Sequence, residues 1–235
     1  MSTKLEDARA EGRSLFHSTV SKPGVNHRTG AATAVLKRSD SNKKLGGGVW
    51  TKGMFKGMPL YSLTLEERAT CQTDCQAWDI CYGNNMPWAT RFDHRDVEGL
   101  MEQIEDEVDQ LSTRHPRGFS VRLHILGDFF SVAYVHFWGS LLTAYPQLRV
   151  YGYTHRTGEI GAAIDEVYVA HPGRFVIMQS DGDAATTNRP VALLETTAGA
   201  DRLPACPKET GRTASCFTCG LCTNPNIKGV RFLLH

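Results

Sequence analysis

Phe119-Ser120-Val121-Arg122-Leu123-His124-Ile125-Leu126-Gly127-Asp128 is the stretch on which the fold turns. Its first eight residues read as a strand, and Gly127-Asp128 closes it. A helix from Ser131 to Ala144 follows, then a strand, Leu148 to Tyr153, ending in Thr154-His155-Arg156. Gly158 to Ala170 reads as helix and Arg174 to Gln179 as a further strand, ending in Ser180-Asp181-Gly182-Asp183. Strands alternating with helices imply parallel pairing through helical crossovers. Upstream, Asp93 to Thr113 carries Val97, Leu100, Met101, Ile104, Val108 and Leu111 at helical spacing, with Asp93 as N-cap and His115-Pro116-Arg117-Gly118 as the stop. Met58 to Leu65 reads as the first strand and Val230 to Leu234 as a late one. Five or six strands fall short of eight, so the expected fold is α/β, a partial (β/α) barrel with parallel strands. An open doubly wound sheet is the competitor. Both place functional residues at the carboxyl ends of strands.

The expected organisation is an irregular basic N-terminal extension over 1–57, a barrel-like domain over 58–200, and a cysteine-rich C-terminal segment over 201–235 packed on the same domain. The chain has 235 residues, 41% hydrophobic and 22% charged, which is ordinary for a globular protein. Its net charge of +1 is uneven: eleven Lys/Arg against four Asp/Glu through Met58 give +7, leaving −6 for the remainder. The basic part suits nucleic acid, an electron-donor protein or another anionic partner, or else lies along the acidic body. No apolar run is long enough to span a membrane, and Met1-Ser2-Thr3-Lys4-Leu5-Glu6-Asp7 has no signal-peptide core. The expected location is cytoplasmic, where disulfides are rare, and seven cysteines cannot pair completely.

The seven thiols divide into Cys71, Cys75 and Cys81, and then Cys206, Cys216, Cys219 and Cys222. Cys216-x2-Cys219-x2-Cys222 with a remote Cys206-Pro207 matches the ingredients of ferredoxin-type iron–sulfur ligation, although the Cys-Pro comes first. Zinc is the rival, since it takes four thiolates, usually from separated pairs. The first group, Cys71-x3-Cys75-x5-Cys81, supplies three thiolates and would leave one iron of a 4Fe-4S cluster open to a small molecule; the alternative is buried, inert thiols. Two clusters, or one drawing ligands from both groups, are the arrangements these numbers allow.

A three-cysteine loop after the first strand of a β/α barrel resembles the radical S-adenosylmethionine superfamily. There the spacing is Cys-x3-Cys-x2-Cys, and a Gly-Gly-Glu-like motif ends the second strand; here the gaps are three and five, and Leu126-Gly127-Asp128 holds the motif's place. The resemblance implies redox or radical chemistry, with Gly127 and Asp128 toward a small-molecule cofactor such as S-adenosylmethionine. His155 and Ser180, at neighbouring strand ends, complete the candidate cofactor site. Asn42-Lys43-Lys44-Leu45, Thr70-Cys71, Cys81-Tyr82, Arg122-Leu123-His124, Gly127-Asp128-Phe129, Tyr153-Thr154-His155 and the tail cysteines are similar to the phage-encoded gene product 88 family. That resemblance implies phage origin, a host cytosol and thiolate metal binding, without naming a reaction. The competing functional reading is a non-enzymatic zinc- or cluster-stabilised module that contacts nucleic acid or a virion or host protein. His124 reads as a packed histidine, and Asp181 with Asp183 as a carboxylate pair or an ordinary turn.

Overall fold

The structure is a computed structural model that describes residues 4–75, 77–180 and 187–234. In chain order the elements are α1 (Lys4–Ala10), β1 (Val20–Ser21), β2 (Lys37–Arg38), β3 (Leu60–Ser62), β4 (Arg91–Phe92), α2 (Val97–Arg114) and β5 (Phe119–Leu123). There follow α3 (Val132–Ala144), β6 (Leu148–Thr154), α4 (Gly158–Ala170), β7 (Phe175–Ser180), β8 (Val191–Leu194), α5 (Cys216–Cys219) and β9 (Gly229–Phe232). A seven-stranded sheet runs β2-β3-β5-β6-β7-β8-β9, while β1 and β4 form a separate parallel pair. Only β2 is antiparallel to its neighbour in the large sheet.

This is an α/β fold with a mostly parallel sheet. Strand order never reverses, so there is no topological switch point of the doubly wound kind. Among the described residues the sheet does not close either. Its edges are the two-residue β2 and the four-residue β9, which do not pair with each other. The barrel expectation therefore holds only as the coarser α/β class with a mostly parallel sheet. Among the described residues no helix is long and apolar enough to cross a membrane.

Alternation decides which face each strand presents. Phe119, Val121 and Leu123 of β5, Leu148 and Val150 of β6, and Phe175 and Ile177 of β7 share one core with α2, α3 and α4. Leu100, Ile104, Val108 and Leu111 supply the buried stripe of α2. Its cap is Asp96, whose side chain accepts from the Gly99 N–H; Asp93 instead turns back on Arg95. Beyond Leu123 the chain stays tied to its neighbour: Ile125 N–H donates to the Leu63 carbonyl, and Leu65 N–H to that of Leu126. The expected strand thus continues in direction although its regular ladder ends early. The short β8 carries no sequence expectation, yet it is paired on both sides.

The opposite face of the sheet is covered by two distant pieces of chain. Leu45, Trp50 and Phe55 pack with Phe217 on Leu60, Tyr151 and Val176. Trp50 Nε1–H donates to Ser120 Oγ at 2.9 Å, which satisfies a buried indole. The two pieces join through backbone: Cys216 N–H donates to Lys44 O, Phe217 N–H to Leu45 O, and Thr51 N–H to Phe217 O. Gly53 and Gly220 cross there, both with positive φ; a Cβ on Gly53 would stand 2.7 Å from the Gly220 oxygen. Residues 44–51 are thus joined to the tail, as β1 is to β4 and β2 to β3.

Candidate functional site

The loop between β3 and β4 carries the first cysteines, and its base is a buried ion pair. Arg91 Nε and Nη2 donate to Glu67 Oε2 and Oε1 at 2.6 and 2.9 Å, and the side chains are 0% and 1% exposed. Ser14 Oγ donates to Glu67 Oε1, and Arg91 also reaches Thr19 Oγ1 and the Met86 and Ala89 carbonyls. Charges this deep persist because every donor direction is answered.

Arg68 stands one turn before Cys71, in the left-handed region at φ 68°. Its Nη2 donates to the Trp78 carbonyl and to Asn84 Oδ1, and the guanidinium lies 5.8 Å from the centre of the Trp78 ring. Its Nε and Nη1 are buried and have no hydrogen-bond partner among the described residues. The Arg68 backbone N–H donates to the Cys71 sulfur, and the Gly83 N–H to the Cys81 sulfur. Burial pushes both thiols upward, while these N–H donors oppose it. Cys75 Sγ lies 3.9 Å from Nε2 and 4.0 Å from Nδ1 of His155.

Asp128 is occupied by the protein itself. Its Oδ1 accepts from Thr154 Oγ1 and the Phe129 N–H, its Oδ2 from the His155 N–H, at 2.7 to 2.9 Å. Burial raises its pKa, and those three donors pull the other way. Ser131, not Asp128, caps α3. Asp128 therefore clamps the end of β5 to the end of β6. Gly127, at φ +85°, passes under the cysteine loop, where a Cβ would stand 2.6 Å from Thr70 Oγ1. Arg156 fastens the same junction by donating to the Phe129 and Thr70 carbonyls, and Gln72 Oε1 accepts from the Thr157 N–H. The cysteine loop is thus sewn onto the strand ends.

The tail thiols lie across the sheet's other face. Cys216-Phe217-Thr218-Cys219 forms a single helical turn, closed by a Ser215–Thr218 capping box and reversed at Gly220, φ +69°. Cys206, Cys216 and Cys222 line a cavity of about 480 Å³, whereas Cys219 lines a separate surface groove with Lys52 and Gly53. The cavity is bounded on the loop side by Ala77, Ile80 and Tyr82, and at the strand ends by His155 and Ser180. The Lys208 and Glu209 backbone N–H groups donate to the Cys206 sulfur, and Tyr153 bonds the Cys222 sulfur. Burial pushes the Cys222 thiol up to about 12.

The cavity therefore brings His155, Ser180 and three tail cysteines together and leaves Gly127 and Asp128 as scaffold. Asp181, Gly182 and Asp183 lie outside the described residues. Among the described residues no three His, Cys, Asp or Glu side chains stand close enough to hold a single metal ion. Sequence reasoning missed Arg68 and Arg122. Arg68 sits in Leu65-Glu66-Glu67-Arg68, which reads as a solvated charge run, but all three charged residues are buried. For Arg122 the signal was present: its period-two spacing sets it opposite Val121 and Leu123. His124 is a packed histidine, bonded to the Tyr134 hydroxyl at 3.1 Å.

No curated protein and no solved structure matches the chain. The family model described as Gene product 88 matches residues 34–171, a span that holds the first cysteine group, Arg122, Asp128 and His155 and stops before the tail cysteines. That span exceeds half of the 235 residues, and the chain belongs to the gene product 88 family of phage gene products.

Proposed function

We propose that the chain is an iron–sulfur protein, with Cys71, Cys75 and Cys81 as ligands of one 4Fe-4S cluster and Cys206, Cys216 and Cys222, which share the cavity wall, as ligands of a second; Cys219, which lines a separate groove, stays outside it. The observation that carries this reading is Arg68, whose buried Nε and Nη1 have no partner among the described residues and belong to the loop whose thiols already receive backbone N–H donors. A buried guanidinium with idle donors is costly. Inorganic sulfide and thiolate are acceptors of the required charge, and hydrogen bonds to cluster sulfurs are a usual means of tuning potential. Separate irons also suit thiols that are not gathered around one point.

Such a cluster, when bound through three thiolates, supplies redox chemistry and one iron open to a small molecule. The chain's own contribution is positional. Asp128 and Arg156 fix the loop, and His155 stands between Cys75 and the cavity. A radical or redox reaction, with S-adenosylmethionine as the candidate cofactor, is the finer form of this reading. It rests on His155 and Ser180, because Asp128 is already satisfied by the protein.

Anaerobic purification followed by iron, sulfide and zinc analysis tests the proposal. Roughly eight irons per chain support two clusters and roughly four support one shared cluster. A colourless protein carrying zinc alone overturns the iron–sulfur reading and favours the non-enzymatic module. Arg68→Met should lower iron content in a protein that still folds; Arg68→Lys should restore part of it.

A further inference from the structure

The backbone join between residues 44–51 and the tail brings two basic stretches of the chain together. Residues 42–57 hold Lys43, Lys44, Lys52 and Lys56 and no acid, and residues 207–232 hold Lys208, Arg212, Lys228 and Arg231 against Glu209 alone. Of these cations only Lys44 is ion-paired to a carboxylate among the described residues; its partner is Glu209, at 2.6 Å. Where the Gly53 and Gly220 turns cross, a surface groove of about 730 Å³ opens. Lys52, Thr213, Thr218, Asn224 and Asn226 stand on its wall, with Met54, 50% exposed, as an apolar contact. Among the described residues no carboxylate and no aromatic ring lines it. Three more exposed cations adjoin lining positions. Lys56 closes a turn on the Gly53 carbonyl, Arg212 precedes Thr213, and Lys228 lies two residues past Asn226. Cys206, Cys216 and Cys222 line the other cavity rather than this groove, so a cluster held there is not a contact partner of these cations.

We infer that this groove binds single-stranded nucleic acid, held by its phosphates. The cations come from separate loops around one opening, which suits an extended polyanion rather than a single phosphate. Lysines predominate among them, and lysine meets a phosphate as a point charge, whereas planar carboxylates favour the arginine fork. The Thr and Asn side chains of the wall are groups that bond phosphate and sugar oxygens, contacts that position a strand without reading its sequence. With no ring on the wall to stack a base, binding should be nearly independent of sequence. A groove of this volume admits one strand, while a duplex would touch only its rim. The inference goes beyond the cluster reading and does not require metal at either thiol group.

The test uses the full chain, purified anaerobically, with iron and zinc measured on the same samples. Fluorescence anisotropy follows labelled oligothymidylate and oligouridylate of about twelve nucleotides, the matching duplex, and a polyglutamate peptide of equal charge. Either single strand should bind, and with roughly three or four phosphate contacts its affinity should fall about 20- to 50-fold between about 50 and 200 mM salt. Lys52→Gln/Lys56→Gln should weaken binding about tenfold and lower the salt slope by about 1.4, the share of two phosphate contacts on a single strand. Lys228→Glu, on the tail side of the groove, should weaken it independently. Lys22→Gln/Arg28→Gln removes two exposed cations beside α2, on the other face of the sheet, and should change neither quantity. No binding of either strand, equal or tighter binding of the duplex or of polyglutamate, or affinity unchanged in both groove variants would overturn the inference. So would an equal loss in Lys22→Gln/Arg28→Gln. Strand binding by a protein that carries no iron leaves this site standing and removes the cluster reading, and a protein with full iron that binds no strand does the reverse.

Discussion

Arg91→Met is the most informative single change outside the thiols. The substitution keeps a long apolar stem and removes the charge opposite Glu67. Both partners are essentially inaccessible, 0% and 1% exposed, so Glu67 would be left as a buried, uncompensated carboxylate. Breaking one half of such a pair costs about 3–5 kcal/mol. The Met86 and Ala89 carbonyls and Thr19 Oγ1 also lose a charged donor, which places the expected loss toward the upper end. Against a total stability of about 5–15 kcal/mol, that is a large fraction. An internal control is the surface pair Arg9–Asp79, 3.1 Å apart but 58% and 55% exposed; Arg9→Ala should cost about 0–1 kcal/mol. Equilibrium urea unfolding, followed by tryptophan fluorescence, measures both. The double variant Glu67→Met/Arg91→Met should recover much of the loss, because no charge is then stranded. If Arg91→Met unfolds within about 1 kcal/mol of the parent, or the double variant is no better than the single, the pair is not the anchor of the cysteine loop.

Cys81→Ala should remove one cluster's worth of iron and leave the tail cluster, read by iron analysis and by the absorption of the remaining centre. Gly127→Ala should destabilise by about 1–3 kcal/mol, since φ is +85° and the new Cβ would meet Thr70 Oγ1 and Leu65 Cβ at 2.6 and 2.8 Å; thermal unfolding checks it. His124 is pushed down to about 3 by burial, with Arg122 adding to it, from an ordinary 6.5. The unfolded chain therefore takes up a proton that the folded one refuses, so stability is complete above about pH 6.5 and falls below it. The slope should approach about 1.4 kcal/mol per pH unit toward pH 4. His124→Gln should flatten that part of the profile in pH-dependent urea unfolding, and an unchanged slope would reject the assignment.

The middle of the fold was legible because its elements are long and periodic. The boundaries of α4 follow from sequence alone, and β5 to β7 carry strong alternation. β8 escaped because four residues behind Pro190 offer no pattern, and its strand character comes from neighbours on either side. The Asp93 cap was displaced to Asp96 because a nearby arginine, Arg95, offers Asp93 a stronger partner. Cysteine spacing marked the candidate ligands but not their surroundings. That Asp128 serves the backbone, and that Cys219 faces away from the cavity, depends on how loops distant in sequence meet. Charge runs mislead most: Glu66-Glu67-Arg68 looks solvated, and its burial follows from Arg91 and Ser14 arriving from elsewhere.

The seam that joins residues 44–51 to the tail is a closure across great chain length: Thr51 Oγ1 and the Phe217 carbonyl are 166 positions apart. Contacts of such separation form after local ones, because the entropy of a long loop must be spent first. The strands between them can pair while the apolar side of the sheet still faces water and the tail hangs free. During that interval Cys206, Cys216 and Cys222 are not yet set against the sheet. The seam then works as a clasp, holding the tail against the sheet once the strands between are paired.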